Sequence, residues 1–251
     1  MWFHRKPKAV KEYHWAAMPN FGDALAPLLL ERFAGVTAEW STVSQANVVT
    51  VGSVLEHIPP LWDGYVLGAG KMYSDSRLHL YGAATKVLGL RGPLSKQFYR
   101  GDCAIGDPGL LADELVDPPE SVYDLGIVPH IFDKDLAADK RFRNAKWNTS
   151  VIDASADPLT VIRQIGSCKK IVTSSLHGLI VADAFGIPRR FEYTKRFDKE
   201  GGVFKFRDYH QSIGMSLAIG ETHAANPHHV ETLKHELYDA YRDLGSVLRS
   251  K

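Results

Sequence analysis

The segment 169–188 constrains the fold of this chain more than any other feature of its sequence. A short apolar run, Ile171–Thr173, is followed by a small polar turn and by an apolar stretch at 176–185 that stops at Gly186. A buried strand, a turn and a helix in this order form the repeating unit of α/β proteins. His177 falls in the first turn of the predicted helix, where open backbone N–H groups and the helix dipole attract anions.

Histidine can also move protons near neutral pH, because its ordinary pKa lies there. The segment therefore predicts an anionic substrate and a reaction with a proton-transfer step. The alternative is that His177 only packs against its neighbours, since many strand–helix turns carry a histidine for no chemical reason.

Similar apolar runs recur along the chain, and most are bounded by glycine. Continuous apolar runs of this length are typical of strands that are buried on both faces, as in a parallel sheet. They predict strands at 46–51, Tyr65–Leu67, Lys86–Leu90, 123–128, 150–153, Ile171–Thr173 and 190–193. Helical patterns lie between them at 24–33, 158–168 and 176–185. This alternation predicts the α/β class.

Two helices carry signals for their ends. Asp157 precedes Pro158, which predicts an N-cap followed by proline at the first helical position, and Gly186 predicts a left-handed C-terminal cap. A last helix after Pro227 has an apolar stripe formed by Leu233, Leu237, Tyr241, Leu244 and Leu248.

The proline-containing stretch 117–121 is the best candidate for a linker between two α/β halves. We therefore expect a first domain at 1–117 and a second domain at 118–215. A helical tail at 216–251 is expected to pack back on the first domain.

Composition and charge exclude several classes of protein. The chain has 251 residues, of which 45% are hydrophobic and 24% charged, and its formal net charge is +1. These values are ordinary for a globular protein and differ from those of basic nucleic-acid-binding proteins, so no nucleic acid is expected as a partner. No cluster of His, Cys, Asp or Glu has the spacing of a metal site, so no metal is expected.

The sequence also bears on the compartment. Cys103 and Cys168 are far apart and fit a reducing compartment. Neither a signal peptide nor an apolar run of ~20 residues is recognised, which predicts a cytoplasmic protein. The start of the chain, with Trp2, Phe3, Arg5, Lys6 and Lys8, is compatible with peripheral contact with an anionic membrane surface. A solvated basic start is the alternative.

Ligands of open α/β sheets bind outside the carboxyl ends of the strands, and polar clusters follow several predicted strands or begin helices. Asp23, close to Asn20, is either the cap of the helix at 24–33 or a carboxylate base facing a cleft. Gly68 and Gly70 follow a strand and would let a ligand approach the backbone.

Two further clusters carry charge. Arg91 ends a predicted strand and could hold a carboxylate or phosphate through two parallel hydrogen bonds, or form a surface ion pair. Asp107 precedes a proline and predicts a turn or a helix cap. The run 203–210 holds Lys205 among charged and aromatic residues. Such a run usually forms an amphipathic strand or loop edge, and it could also close over an anion.

Together these clusters resemble the polysaccharide pyruvyl transferases, and among them the shorter, succinoglycan ketal-pyruvate transferase-like members. The matching segments, in family order, are 20–23, 91–95, 106–108, 174–178, 182–188 and 205–209. The resemblance implies a GT-B-like fold, with two Rossmann-like domains facing across a cleft. It implies an enzyme that moves the enolpyruvyl unit of phosphoenolpyruvate onto a sugar, forms a pyruvate ketal and releases phosphate without a cofactor.

The resemblance also implies roles for individual residues. His177 would be the general acid or a phosphate ligand, Asp23 the base for the acceptor hydroxyl, and Arg91 the clamp on phosphate or carboxylate. Further substrate contacts would come from Asn20, Gly68, Gly70, Ser174, Ser175, Gly178 and Lys205. Longer relatives carry arginine where Ser175 stands, so the missing charge must come from Arg91, Lys205, Arg189 or Arg190.

The acceptor sugar is left open, and a lipid-linked oligosaccharide would bring the enzyme to the cytoplasmic face of the inner membrane. Trp15, Trp62, Tyr73 and Trp147 either stack on sugar rings or belong to the core and its rim. Two other functions remain open as well. One is a GT-B glycosyltransferase that uses a nucleotide sugar, and the other is an inactive binding protein of polysaccharide assembly.

Overall fold

A computed structural model describes residues 9–75, 84–194 and 202–250 of the chain. Within these residues the strands form two sheets. The strands of the first sheet are β1 (Ala9–Glu12), β2 (Thr37–Trp40), β3 (Val48–Val49), β4 (Tyr65–Leu67), β5 (Lys86–Leu90) and β6 (Ala104–Ile105). Those of the second sheet are β7 (Leu125–Val128), β8 (Thr149–Val151), β9 (Ile171–Thr173), β10 (Arg189–Phe191) and β11 (Thr222–His223).

Both sheets are built mainly from parallel strands. The first sheet has the order β2-β1-β3-β4-β5-β6, and all its neighbouring strands run parallel. The second has the order β11-β10-β9-β7-β8, in which only the pair β10–β11 is antiparallel. Every residue of β4, β7 and β9 is buried, as expected for strands covered on both faces. The predicted α/β class is confirmed.

Helices connect the strands and follow the local signals of the sequence. They are α1 (Leu25–Leu29), α2 (Pro93–Lys96), α3 (Lys134–Ala138), α4 (Pro158–Gly166), α5 (Leu176–Ala184), α6 (Phe204–Ser212) and α7 (Pro227–Arg249). A π-helical turn, Leu30–Ala34, continues α1, and short 3₁₀ segments lie at Val43–Gln45, Leu55–His57, Pro108–Leu115 and Lys140–Phe142. As predicted, Asp157 caps α4 by accepting from Thr160 N at 2.9 Å, and Gly186 has a φ of 67°.

The prediction of a strand or loop edge at 203–210 was wrong, because this run forms most of α6. Asp208 and Tyr209 lie three and four positions after Lys205, and all three are buried, which is the spacing of one helix face. Phe206 stacks against Phe191, with ring centroids 4.2 Å apart. The strands β1 and β2 were not predicted, since their burial is partial and their sequences lack a continuous apolar run.

The long helix α7 contacts both halves of the chain. Its predicted stripe, from Leu233 to Leu248, is buried. Lys234 Nζ donates to Asp113 Oδ2 at 2.7 Å and to the carbonyl of Ala184 at 3.2 Å, and Arg249 donates to the carbonyl of Ala34. The boundaries 1–117, 118–215 and 216–251, and the GT-B-like arrangement, stay predictions.

In the described part of the chain, no helix is long and apolar enough to cross a membrane. The aromatic and basic start of the chain, for which contact with a membrane surface was predicted, lies at 1–8 and outside the described residues.

Candidate active site

A pocket of about 270 Å³ lies where the carboxyl ends of strands from both sheets meet. Residues from the two halves of the chain form two walls. The first wall consists of Trp15, Asn20, Asp23, Ser53, Val54, Glu56, His57, Met72 and Tyr73. The second wall consists of His130, Ile131, Phe132, Ser175, Leu176, His177 and Lys205. Five residues of the predicted site thus come together here, namely Asn20, Asp23, Ser175, His177 and Lys205.

His177 is held in the first turn of α5 on the second wall. Ser175 caps this helix by accepting from Gly178 N at 3.3 Å. The imidazole lies so close to Gly22 that a Cβ added there would stand 2.0 Å from Nδ1. Burial, followed by the charges of Lys205 and Arg91, lowers the pKa of His177 to about 3. The imidazole in this structure is therefore neutral at pH 7.

Asp23 lies on the first wall and does not cap α1. The N-cap position of α1 is Ala24, without a side-chain hydrogen bond, so the capping interpretation of Asp23 is not observed. Its Oδ2 accepts from Asn20 Nδ2 at 2.7 Å. Burial raises the pKa of Asp23 to about 7, although the charges of His14 and Lys205 act in the opposite direction. Near neutral pH this carboxyl group can both accept and release a proton.

Lys205 brings a buried cation to the pocket. The side chain extends from α6 and is only 6% exposed. Its charge lowers the pKa values of both Asp23 and His177, which shows that the three groups share one electrostatic environment. Lys205 and the amino terminus of α5 belong to the same wall, so the second wall is the one suited to an anion.

Arg91 is fully buried and does not line the described pocket. Its Nε donates to Asp208 Oδ2 at 3.0 Å, its Nη1 to Ser53 Oγ at 2.6 Å, and its Nη2 to the carbonyl of Lys71 at 2.6 Å. Arg91 thus ties α6 to the first wall through Asp208 and Ser53. The structure differs here from the expected clamp on the ligand, because every guanidinium nitrogen already has a protein partner. Direct contact with substrate stays a prediction.

Gly68 and Gly70 also lie behind the pocket. A Cβ at Gly68 would stand 2.2 Å from Cδ of Pro108, and one at Gly70 would stand 2.2 Å from Cζ of Arg91. These glycines allow close packing of protein side chains in this structure. Their predicted contacts with a ligand are not tested by this geometry.

Ser174 and Gly178 shape the turn that carries His177. Ser174 Oγ donates to Asp133 Oδ2 at 2.6 Å and accepts from His130 N at 2.9 Å, so it holds the loop after β7. A Cβ at Gly178 would stand 2.4 Å from Thr173 Oγ1. Both residues support the second wall from behind.

His130, Phe132 and Ser53 also line the pocket and were not predicted from the sequence. His130 and Phe132 follow β7, and Ser53 follows β3, so all three stand beyond the carboxyl end of a strand. The rule that ligands bind at this edge would have marked them. The charge of His130 also contributes to the low pKa of His177. No group of three or more His, Cys, Asp or Glu side chains within 9–75, 84–194 and 202–250 is arranged to hold a metal ion.

We expect Arg91→Ala to lower the free energy of unfolding by roughly 3–5 kcal/mol, because the buried carboxylate of Asp208 loses its ion pair. Urea unfolding of both proteins measures the difference. Arg141→Ala is the matched control, since the side chain of Arg141 is 59% exposed and pairs with Asp139. Exposed ion pairs contribute at most about 1 kcal/mol. Equal stability of the two variants would contradict the supporting role of Arg91.

The sequence of the chain is similar to one family model and to two known proteins. The family model described as "Polysaccharide pyruvyl transferase" matches residues 77–191, a segment that contains Arg91, Asp107 and His177. "Uncharacterized protein L143" of Acanthamoeba polyphaga mimivirus is 40% identical over 120 residues, which cover 44% of this chain and 40% of that protein.

A second relative matches most of the chain. "Succinoglycan biosynthesis protein ExoV" of Rhizobium meliloti (strain 1021) is 28% identical over 221 residues, which cover 82% of this chain and 66% of that protein. The chain therefore spans less than two thirds of either relative. The family match and this long alignment therefore make the chain similar to the polysaccharide pyruvyl transferases.

Proposed function

We propose that the chain is a transferase of polysaccharide biosynthesis that moves a pyruvyl group from phosphoenolpyruvate onto two hydroxyls of a sugar. The observation that carries this proposal is one pocket that holds a buried carboxyl group, an imidazole at a helix amino terminus and a buried lysine. The similarity to the polysaccharide pyruvyl transferase family model and to the succinoglycan biosynthesis protein supports the same reaction. A GT-B-like arrangement is part of the proposal, because the two pocket walls come from opposite sides of the 117–121 stretch.

The chemistry needs two proton movements. The donor loses its phosphate, and its central carbon gains two bonds to sugar oxygens. Of the two protons released by the hydroxyls, one ends on the former methylene carbon, which becomes methyl, and the other ends on phosphate. The pocket must therefore supply a group that takes a proton from a hydroxyl and a group that delivers one to carbon.

The second wall suits the anionic donor. The amino terminus of α5 offers backbone N–H groups and a positive dipole end, and Lys205 adds a full charge. Lys205 can supply the charge that longer relatives are expected to take from arginine at the position of Ser175. A bound phosphate or carboxylate would raise the pKa of His177, because a nearby negative charge favours the imidazolium. His177 then becomes able to donate a proton to the donor.

The first wall suits the acceptor hydroxyl. Asp23 has a pKa of about 7, so a large fraction is ionised at neutral pH and ready to accept a proton. Its environment makes it a stronger base than an exposed carboxylate. Asn20 orients the carboxyl group through the hydrogen bond to Oδ2. Asp23 therefore takes the role of general base in the proposal.

Aromatic side chains of the first wall suit the acceptor sugar. Of the four aromatic candidates from the sequence, Trp15 and Tyr73 line the pocket. Trp62 is buried and donates to the carbonyl of Ala46 at 2.9 Å, and Trp147 is 47% exposed and not part of the described pocket. Aromatic faces offer apolar area for the C–H side of a sugar ring.

For this reason we expect Trp15→Ala to raise the KM for the acceptor sugar by about two- to tenfold, as for the loss of one aromatic contact of about 0.5–1.5 kcal/mol. The affinity for phosphoenolpyruvate should change less than about twofold. Initial rates at varied acceptor concentration and calorimetry with phosphoenolpyruvate separate the two effects. Trp147→Ala serves as the control and should change neither value. An unchanged acceptor KM in Trp15→Ala would remove Trp15 from the acceptor site.

Calorimetric titration with phosphoenolpyruvate, beside UDP and GDP, tests the proposed function. Saturable binding of phosphoenolpyruvate that weakens in His177→Ala supports it, and phosphate release with candidate acceptor sugars then identifies the acceptor. Binding of a nucleotide without binding of phosphoenolpyruvate would instead favour the glycosyltransferase alternative. Binding of phosphoenolpyruvate without turnover on any acceptor would favour the inactive binding protein.

A further inference from the structure

Asp107 is a fully buried carboxylate at the end of β6, directly behind the pocket. Its Oδ1 accepts from Gly109 N at 2.9 Å and caps the 3₁₀ segment Pro108–Leu115, as the sequence predicted. Its Oδ2 is buried without a hydrogen-bond partner in the described part of the chain. A polar atom left unpaired inside a protein costs about 1–3 kcal/mol, so its retention calls for an explanation.

A second buried atom without a partner lies near the same carboxyl group. His177 Nε2 is 4.0 Å from Asp107 Oδ1, and among the described residues it also has no hydrogen-bond partner. The ring is confined by Gly22 on the Nδ1 side, and a Cβ at Gly109 would stand 3.6 Å from its Cδ2. The imidazole thus presents Nε2 to the carboxylate and Nδ1 to the Gly22 side. A movement of about 1 Å would bring Nε2 and the carboxylate within hydrogen-bond distance.

We propose that Asp107 is a positioning residue for His177, which holds the imidazole in its Nε2–H tautomer and accepts a direct hydrogen bond from it when an anion occupies the pocket. A histidine whose one nitrogen donates to a carboxylate offers the other nitrogen to the ligand. This inference rests on the proposed function, because the anion is taken to be the phosphoenolpyruvate donor.

The charges around the pair oppose an ion pair between His177 and Asp107. Lys205, Arg91 and His130 all disfavour a positive charge on His177, and burial does so most strongly. Burial also raises the pKa of Asp107 to about 6, against the influence of the Gly109 hydrogen bond and of Arg91. At pH 7 the carboxylate is therefore mostly ionised and the imidazole neutral, so the 4.0 Å contact is not an ion pair.

A bound anion changes this balance. Its negative charge offsets the cations that face His177, so the imidazole takes up a proton, and the resulting imidazolium has the Asp107 carboxylate as its counter-ion. The charge of Asp107 also acts on Asp23, which lines the pocket, and contributes to the raised pKa of Asp23. Pairing of Asp107 with an imidazolium would weaken the repulsion between the two carboxylates. Asp23 would then stay ionised and able to accept a proton.

The test is ¹⁵N NMR of the histidine ring nitrogens in the full chain, with and without phosphoenolpyruvate, in wild type and Asp107→Asn. In wild type we expect the Nε2–H tautomer of His177 in the free protein and a pKa that rises by at least one unit when phosphoenolpyruvate is added. In Asp107→Asn the amide oxygen can still accept from Gly109 N, but the side chain carries no negative charge to pair with an imidazolium. We therefore expect the rise in the His177 pKa on addition of phosphoenolpyruvate to be smaller than in wild type by at least one unit.

Asp157→Asn is a matched control, because Asp157 also precedes a proline and caps a helix, here by accepting from Thr160 N away from the pocket. It should leave both the tautomer and the pKa of His177 unchanged. Asp107→Ser, which keeps an N-cap oxygen without a charge, replaces Asp107→Asn if that variant does not fold.

The outcomes separate the two proposals. An Nδ1–H tautomer in the free wild-type protein, or an unchanged His177 signal in both Asp107 variants, would reduce Asp107 to a helix cap. Wild-type protein that does not bind phosphoenolpyruvate would refute the proposed donor. The tautomer of the free protein would still test the inference about Asp107, because that measurement needs no ligand.

Discussion

Replacement of His177 by alanine is expected to reduce turnover by about a hundredfold or more, because it removes the proposed acid that protonates phosphoenolpyruvate. The fold should survive, since Ser175 still caps α5 and the loss is at the pocket wall. Phosphoenolpyruvate should bind more weakly for lack of the imidazolium. Phosphate release and calorimetry measure the two effects, and circular dichroism checks the fold.

His228→Ala is the matched control, because His228 is exposed on α7 and should leave turnover unchanged. Near-normal turnover in His177→Ala would overturn the assignment of the acid and leave His177 a packing residue. The conservative variant His177→Gln keeps a hydrogen-bond donor, but its amide cannot act as an acid near neutral pH. It should bind phosphoenolpyruvate better than the alanine variant and remain equally inactive.

The low pKa of His177 also affects stability. In the folded protein the pKa is about 3, whereas the ordinary value is 6.5, so below pH 6.5 the unfolded chain binds a proton that the folded chain does not. Stability contributed by the neutral imidazole is therefore lost as pH falls below about 6.5. His177→Ala should lose less stability than wild type between pH 7 and pH 5.

The second large effect is expected for Asp23→Asn, which should lose about a hundredfold or more in turnover while phosphoenolpyruvate still binds. The change removes the proton acceptor and keeps the shape of the side chain. The Asn20 amide can still donate to the new Oδ1, as it donates to Asp23 Oδ2 now. Loss of donor binding together with turnover would instead make Asp23 a structural residue.

The pH dependence of turnover gives an independent check on Asp23. A base with a pKa of about 7 must be ionised to act, so the acceptor-dependent rate should rise from pH 5.5 to pH 8 with a midpoint near 7. A rate that is constant across this range in wild type would contradict a base with this pKa.

Stability should change in the opposite sense to activity. The pKa of Asp23 is raised from 3.8 to about 7 in the folded state, so the folded chain holds a proton that the unfolded chain releases. The stability of the protonated form is fully present below pH 3.8 and is lost as pH rises through 7. Asp23→Asn should therefore be more stable than wild type at pH 8, by up to about 4 kcal/mol, and the advantage should shrink toward pH 5.

Urea unfolding at pH 5 and pH 8 measures this difference. Asp157→Asn, at a helix cap outside the pocket, should show the same stability relative to wild type at both values. An Asp23→Asn protein without a gain at pH 8 would mean that the carboxyl group of Asp23 is ionised at little cost in the folded protein. The function of Asp23 as a base of raised pKa would then be wrong.

The sequence predicted much of the secondary structure, because local structure depends on neighbouring residues. The run Ile171–Thr173 is a strand with the predicted bounds, Asp157 caps α4, and Gly186 has a left-handed backbone. The same local reasoning failed at α6, because its mixture of charged and aromatic residues predicted an amphipathic strand or loop edge, whereas Lys205 and Asp208 are buried in a helix. Asp208 is buried there because Arg91, 117 positions away, pairs with it.

For the candidate site, the sequence determined the chemical types and their order along the chain. Asp23 and His177 follow from motifs that begin helices, and Lys205 follows from a run of charged and aromatic residues. The three share one pocket in the structure. What sequence could not predict is the environment of each group. The pKa of a carboxyl or imidazole group depends on burial and on charges that are distant in sequence.

The sequence by itself determined the α/β class, the caps and the candidate residues, since side-chain pattern and backbone preference act over a few positions. Only the tertiary structure decided that Arg91 is buried against Asp208, and that Asp107 faces His177 across 4.0 Å. Such contacts arise from the packing of one sheet and its helices against the other. Packing joins residues according to the arrangement of whole elements, which the spacing along the chain does not specify.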